Sequence, residues 1–187
     1  MQNQRMPLEF TTSYLQDSTT LLRYYKILGE KAMAQTSDAG LLTALDPEAN
    51  SIAVIVKHLS GNMISRWTDF LTSDGEKPNR DRDSEFVDPP QSRAEILAMW
   101  DSGWKVVFDS LAPLGEADLS ATIRIRGEAH SVMQAIHRQV AHYAYHIGQI
   151  VFIAKHLASD RWTSLSIPRG KSAEFNRRVT AGQASQR

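Results

Sequence analysis

Apolar residues recur along this chain at helical spacing in four long blocks, separated by polar stretches that carry Pro and Gly. The first block predicts a helix from about Leu8 to Met33, with Phe10, Tyr14, Leu21, Tyr24, Leu28 and Ala32 at intervals of three, four and seven, and with Pro7 at or before its first turn. Gly40 and the Asp46-Pro47 dipeptide mark a connection. Asn50 or Ser51 can cap a second helix running to about Leu71. Its opening residues, Ile52 to Val56, are apolar on every side, as a helix buried deep in a bundle would be, which puts His58 in a dry neighbourhood.

From Ser73 to Pro90 the helical pattern breaks into Asp, Arg and Pro, and a long surface loop is expected. Ser92 followed by Glu95 is a capping-box pattern opening a third helix to about Leu111, which Pro113 and Gly115 stop. The alternation in Thr122-Ile123-Arg124-Ile125-Arg126, with Gly127-Glu128 after it, predicts a short strand and turn, a small hairpin. Ser131 with Gln134 repeats the capping pattern, and Val132 to about Ala158 is the longest helical run, broken in composition only by Gly148. Beyond Ser159, Trp162 and Leu165 are expected to pack on the helices. The fold class is therefore all-α with a short β-hairpin before the last long helix. One domain spans 1–187, ordered over about 8–176, with 177–187 a flexible tail.

Composition narrows the chemistry. With 187 residues, 42% of them hydrophobic, the chain can bury a core without help from cross-links. It has no cysteine, so any metal must be held by nitrogen or oxygen ligands. Lys plus Arg and Asp plus Glu number 21 each and are interspersed, which argues against a nucleic-acid partner. The N-terminus lacks the apolar core of a signal peptide, and no apolar run approaches the roughly 20 residues needed to span a bilayer; a cytoplasmic location is expected.

Against that background the histidines stand out. His142 and His146 are four apart, so their side chains project about 40° apart on one helix face, one turn along, and can reach one ion. A pair leaves half a tetrahedral shell empty, and His58, mid-way along an apolar helix, is the best-placed third ligand. Taken alone, a pair four apart can arise by accident among six histidines; its mid-helix place among Ile136, Val140, Tyr143, Ile147 and Ile150 implies burial, where each ring nitrogen needs a partner. His130 precedes the helix, His137 points away from His142, and His156 lies about 20 Å further along, so these three are expected to be surface or structural. Asn62 and Gln149, each one turn from a candidate ligand, could orient a substrate or a water, although the favoured expectation is that they satisfy neighbouring polar groups. Arg66 and Arg138 are candidate anion contacts for which solvated helix faces are the simpler expectation.

His58 in VKHLSGNMISRW, the pair in RQVAHYAYHIGQIVFIAKHL and the closing WTSLSIPRGKSAEFN together resemble the DinB-like, or YfiT-like, metal-binding four-helix proteins, in a bacterial branch known only as a domain of unknown function. The resemblance runs from about Leu8 to Asn176. It implies an up-down-down-up four-helix bundle, a divalent ion of which zinc and nickel are the usual occupants, a ligand triad of His58, His142 and His146, and commonly a homodimer. Characterised members of that family include transferases and isomerases that use low-molecular-weight thiols.

Two functional expectations follow. Three neutral imidazoles leave a coordination position open, as catalytic sites do. With no cysteine in the chain, a thiol nucleophile would come from a small thiol such as bacillithiol or glutathione, giving thiol transfer, with hydrolysis as the variant. The alternative is a non-catalytic bundle in which a metal ties two helices together or marks a small-molecule pocket. No catalytic residue is assignable; Tyr145 is the one guess at a proton acceptor. The Ser166–Lys171 segment is expected to be a charged surface stretch, with a cap over the bundle or a dimer contact as the other option.

Overall fold

The computed structural model of the protein describes residues 13–185. Among these are six α-helices and one two-stranded antiparallel hairpin: α1 (Tyr14–Ala34), α2 (Asp38–Leu42), α3 (Ile52–Trp67), α4 (Arg93–Leu111), β1 (Thr122–Ile125), β2 (Glu128–Ser131), α5 (Val132–Ala158) and α6 (Ser172–Thr180). Pro7, Leu8 and Phe10 lie outside the described residues. No helix among the described residues is long and apolar enough to cross a membrane.

Serine starts most of these helices, because its hydroxyl accepts a backbone N–H that the first turn cannot satisfy. Ser13, Ser37, Ser51, Ser92 and Ser131 each do so, and the boxes completed by Glu95 and Gln134 form as expected. The second long helix ends at Trp67 rather than Leu71: Thr68 turns extended and Asp69 takes a positive φ of 48°, which breaks the helical ladder despite the apolar Phe70 and Leu71. Ser172–Thr180 is helical, with Lys171 paired to Glu174 across its first turn, so the stretch from 177 expected to be a tail begins inside a helix. The short helix α2 sits in the connection, where no apolar period announces it.

One hydrophobic cluster runs through α1, α3, α4 and α5, with Trp67, Trp100, Trp104 and Tyr143 as its largest buried side chains. Tyr14 Oη donates to Met133 O where α1 and α5 begin, and Gln35 exchanges hydrogen bonds with the backbone of Thr163 beyond their far ends. Ser60 Oγ donates to Met99 O and Ser110 Oγ to Trp67 O, so α3 and α4 meet in the same order along both. Across α1 and α4 the order reverses: Arg23 lies over the Phe108 ring, Lys26 meets Asp101, and Arg93 reaches Met33 O. Gly103 lets α4 approach the α3 backbone, since a Cβ there would lie 3.0 Å from both Met63 Sδ and Ser60 Cα. Trp162 and Leu165 pack against the same cluster, as expected.

The hairpin pairs Thr122 with Ser131 and Ile125 with Glu128, burying Ile123 and Ile125 on one face. Its turn residues, Arg126 and Gly127, both have positive φ, the conformation a two-residue hairpin turn requires. Asp74 clips this turn to the segment after α3: its carboxylate accepts from Arg126 N and Gly127 N, each at 2.7 Å, and from Glu76 N. Gly75 N donates to Arg124 O beside it.

Candidate metal centre

The buried face of α3 and the stripe of α5 opposite it bring His58, His142 and His146 together. Ligand-capable atoms from the three rings all lie within 4.8 Å of one another, and His58 Nε2 is 3.3 Å from His142 Nε2. Nitrogens bound at about 2.0–2.1 Å in a tetrahedral shell are separated by about that distance. The rings meet edge to face, with centroids 4.7–5.4 Å apart, so none stacks over another's nitrogen.

The outward nitrogens are held from behind. His58 Nδ1 donates to Glu85 Oε2 at 2.8 Å, and His146 Nδ1 meets Gln149 Oε1 at 2.8 Å. A carboxylate and an amide oxygen only accept, so each ring carries a proton on Nδ1, which leaves Nε2 as the nitrogen that can serve as a ligand. That is the arrangement in which a partner behind a metal-binding histidine sets its tautomer and orientation. Burial, together with the neighbouring His146 and His58, pushes His142 down to about 3; burial likewise lowers His146, against the raising effect of Gln149. Both rings are therefore neutral near pH 7 and able to donate a lone pair. The donor set fits a divalent ion such as zinc, nickel, copper or iron(II).

Glu85 is in turn fixed by several groups. Arg80 grips its carboxylate with Nε at 2.7 Å and Nη2 at 2.9 Å. Burial pulls the Glu85 carboxyl up, but His58 and Arg80 outweigh it and hold it below the usual carboxylate range. The segment carrying Glu85 is a 3-10 turn, Asp83–Phe86, whose backbone Lys57 Nζ clamps by donating to Ser84 O, Val87 O and Asp88 O. Phe86 stacks on the His58 ring at 4.8 Å, and Arg82 lies over the outer face of Phe86.

The histidine cluster opens into a cavity of about 540 Å³. Among the described residues, five arginines line it and no acidic residue does; behind them, Glu76 accepts from Arg66, Arg80 and Arg126 together. Burial raises the Glu76 carboxyl, and these guanidinium groups more than compensate, leaving it low.

The structure sorts the sequence expectations. His58, His142 and His146 converge, whereas His137 and His156 are exposed and His130 sits on β2 beside Glu128. Gln149 satisfies His146, as expected of a neighbour-satisfying amide. Asn62 does not follow that expectation: it is buried and its Oδ1 has no hydrogen-bond partner among the described residues. Arg66 is buried rather than on a solvated face, because Gly75 O and Glu76 receive its guanidinium; Arg138 is exposed at the cavity rim. Tyr145 is largely exposed with its ring against His146. The stretch expected to be a plain surface loop supplies Glu76, Arg80, Glu85 and Phe86 to the site. Only Phe86, an apolar residue in a polar run, hinted at this in the sequence.

The chain belongs to the family described as protein of unknown function (DUF1572), whose model matches residues 9–171, from the approach to α1 to the threshold of α6. No curated protein and no solved structure matches it.

Proposed function

We propose that this protein is a divalent-metal enzyme of the DinB-like kind, in which His58, His142 and His146 hold the ion and the cavity beside them holds the substrate. The observation that carries this reading is the inward convergence of the three imidazoles with Glu85 and Gln149 fixing two of them from behind. The order in which α1, α3, α4 and α5 meet supports an up-down-down-up bundle, and one shared core supports a single domain.

Three protein ligands leave room for a non-protein one, and the ion would supply Lewis acidity that favours the deprotonated form of a thiol or water near neutral pH. The chain's own residues do the rest. Glu85 and Gln149 keep the rings aimed, Phe86 shields His58 from solvent, and the arginine-lined walls hold the substrate. Thiol transfer from a small thiol is the proposed reaction, with hydrolysis as the variant. Zinc or nickel is the proposed ion, and the proposed setting is a cytoplasmic homodimer. The competing reading, an ion that only ties α3 to α5, draws on the fact that the three ligands come from those two helices alone.

Untagged protein should bind close to one equivalent of metal, and His142→Ala should lose it. The holoprotein, given a panel of small thiols and a chromogenic electrophile, should show turnover that chelation abolishes. Metal content unchanged by His142→Ala removes the site. Chelation that lowers only the melting temperature, with no turnover under any thiol, favours the structural reading.

A further inference from the structure

The cavity beside the histidines has more positive charge than its own fold uses. Two carboxylates, Glu76 and Glu85, stand behind the five lining arginines, and their contacts are made chiefly with Arg66 and Arg80. Arg126 gives Glu76 only its Nε, Arg82 rests on Phe86 with Asp83 3.9 Å away, and Arg138 has no ion-pair partner among the described residues. Three guanidinium forks with spare donors therefore ring a concave space, which focuses a positive potential into it and suits a carboxylate or phosphate.

A second observation, independent of charge, points the same way. Asn62 and Gln139 line this cavity, are 6% and 3% exposed, and each carries a buried amide oxygen without a hydrogen-bond donor. Buried polar atoms are satisfied in nearly all folded proteins, and no donor among the described residues reaches either oxygen, so a bound molecule that brings a donor would complete them. Their place is orderly. Along α3 the residues His58, Asn62 and Arg66 follow at successive turns, and along α5 Gln139 and Arg138 lie one turn before His142. Both amides thus lie one turn from a histidine, with Arg138 on the same turn as Gln139 and Arg82 beside Phe86, so a small molecule can meet an amide acceptor and a guanidinium together.

We propose that the cavity binds a small organic acid whose hydroxyl or amino groups donate to Asn62 and Gln139 and whose anionic head lies among Arg82, Arg126 and Arg138. This rests on the reading of the cavity as the substrate site and names the substrate class: an anion of carboxylate or phosphate type bearing hydrogen-bond donors a few bonds from the charge.

Isothermal titration of the purified protein tests it with four probes: glycerol 3-phosphate, glycerate, glycerol and propionate. At least one of the first two should bind, and which binds tighter identifies the head group. Glycerol, which lacks the anion, and propionate, which lacks the donors, should bind at least tenfold more weakly. In Arg126→Gln/Arg138→Gln the binding should fall at least tenfold, with the melting temperature and metal content of the wild type. In Asn62→Leu, glycerate or glycerol 3-phosphate should lose its advantage over propionate. Failure of both anionic probes to bind, wild-type affinity in the double arginine variant, or equal binding of glycerol overturns the proposal. Metal content measured on the same samples separates the two readings. Probe binding to protein that takes up no ion when supplied with divalent metal removes the metal reading and leaves this one, and an ion with no probe binding removes this one alone.

Discussion

The carboxylate of Glu85 fills the space where position 61 lacks a side chain: a Cβ on Gly61 would lie 2.5 Å from Glu85 Oε1 and 2.9 Å from its Cδ. Gly61 lies on α3, where glycine costs helix stability, so its use there is explained by what it lets in. The carboxylate can then sit against α3 with one oxygen on His58 Nδ1 and both on Arg80.

Gly61→Ala should therefore fold, since the clashing atoms belong to the end of a side chain that can swing away, but Glu85 should leave His58. Metal affinity should fall about 10- to 100-fold, matching Glu85→Gln, as expected when the partner behind a histidine ligand is lost. Competition with a chromogenic chelator measures it. Wild-type affinity in both variants would show that Glu85 has no part in the site.

Tyr143→Phe isolates packing from the site. Its hydroxyl accepts from Trp67 Nε1 at 2.9 Å in the fully buried core, and removing it strands that donor. A loss of about 1–3 kcal/mol is expected, lowering the melting temperature by roughly 2–4 °C for each kcal/mol in a chain of this size. Metal stoichiometry should not change. A melting temperature equal to the wild type's would show that Trp67 finds another acceptor.

Asn62→Leu should move stability and binding in opposite directions. Removing a buried amide oxygen that has no donor relieves a cost of about 1–3 kcal/mol, so the melting temperature of the ligand-free protein should rise. Thermal melts without any probe decide this; a drop of several degrees would mean that the amide is satisfied within the fold.

Asp74 carries an acid dependence. Backbone donation from Glu76 and Gly127 holds its carboxyl below the ordinary 3.8, with a further contribution from Arg126 N and from the Arg66 charge, while Lys77 stands nearby. A carboxylate with a depressed folded-state value stabilises the fold fully above its unfolded value and loses that contribution as pH falls through the folded one. Wild-type protein should be more stable than Asp74→Ala at pH 7, with the gap closing as pH drops below about 4. Melting temperatures of the two across pH 3–7 test this; a gap that is constant with pH would assign the effect to something other than the charge.

The long helices were legible because their signals are local: serine caps, apolar period and stop residues all lie within each segment, and α4 and α5 agree with them at both ends. The histidine triad was legible for the same reason, two members being one turn apart and the third embedded in an apolar helix. Glu85, Arg80 and Glu76 were not, because a charged residue in a Pro-bearing polar run looks alike whether it faces water or is drawn under a helix. What buries Glu85 is a gap at Gly61, 24 positions earlier, and a clamp from Lys57, relationships that exist only in three dimensions. Helix α2 was missed because five residues offer too short a period to detect.

Lys57 and His58 are neighbours in sequence yet seize the turn at 83–88 in different ways. His58 reads two side chains, Glu85 by a hydrogen bond and Phe86 by stacking, whereas Lys57 reads only main-chain carbonyls, those of Ser84, Val87 and Asp88. Carbonyls are present whatever the residue, so 84 and 87 can drift in identity without releasing the turn, while position 88, with φ 45°, favours Asp, Asn or Gly. Their count cannot drift: inserting or deleting one residue there would shift every carbonyl out of reach of the ammonium and carry Glu85 out of phase with Gly61. Natural variants of this protein should therefore be permissive in spelling at 84 and 87 and strict in the length of the segment.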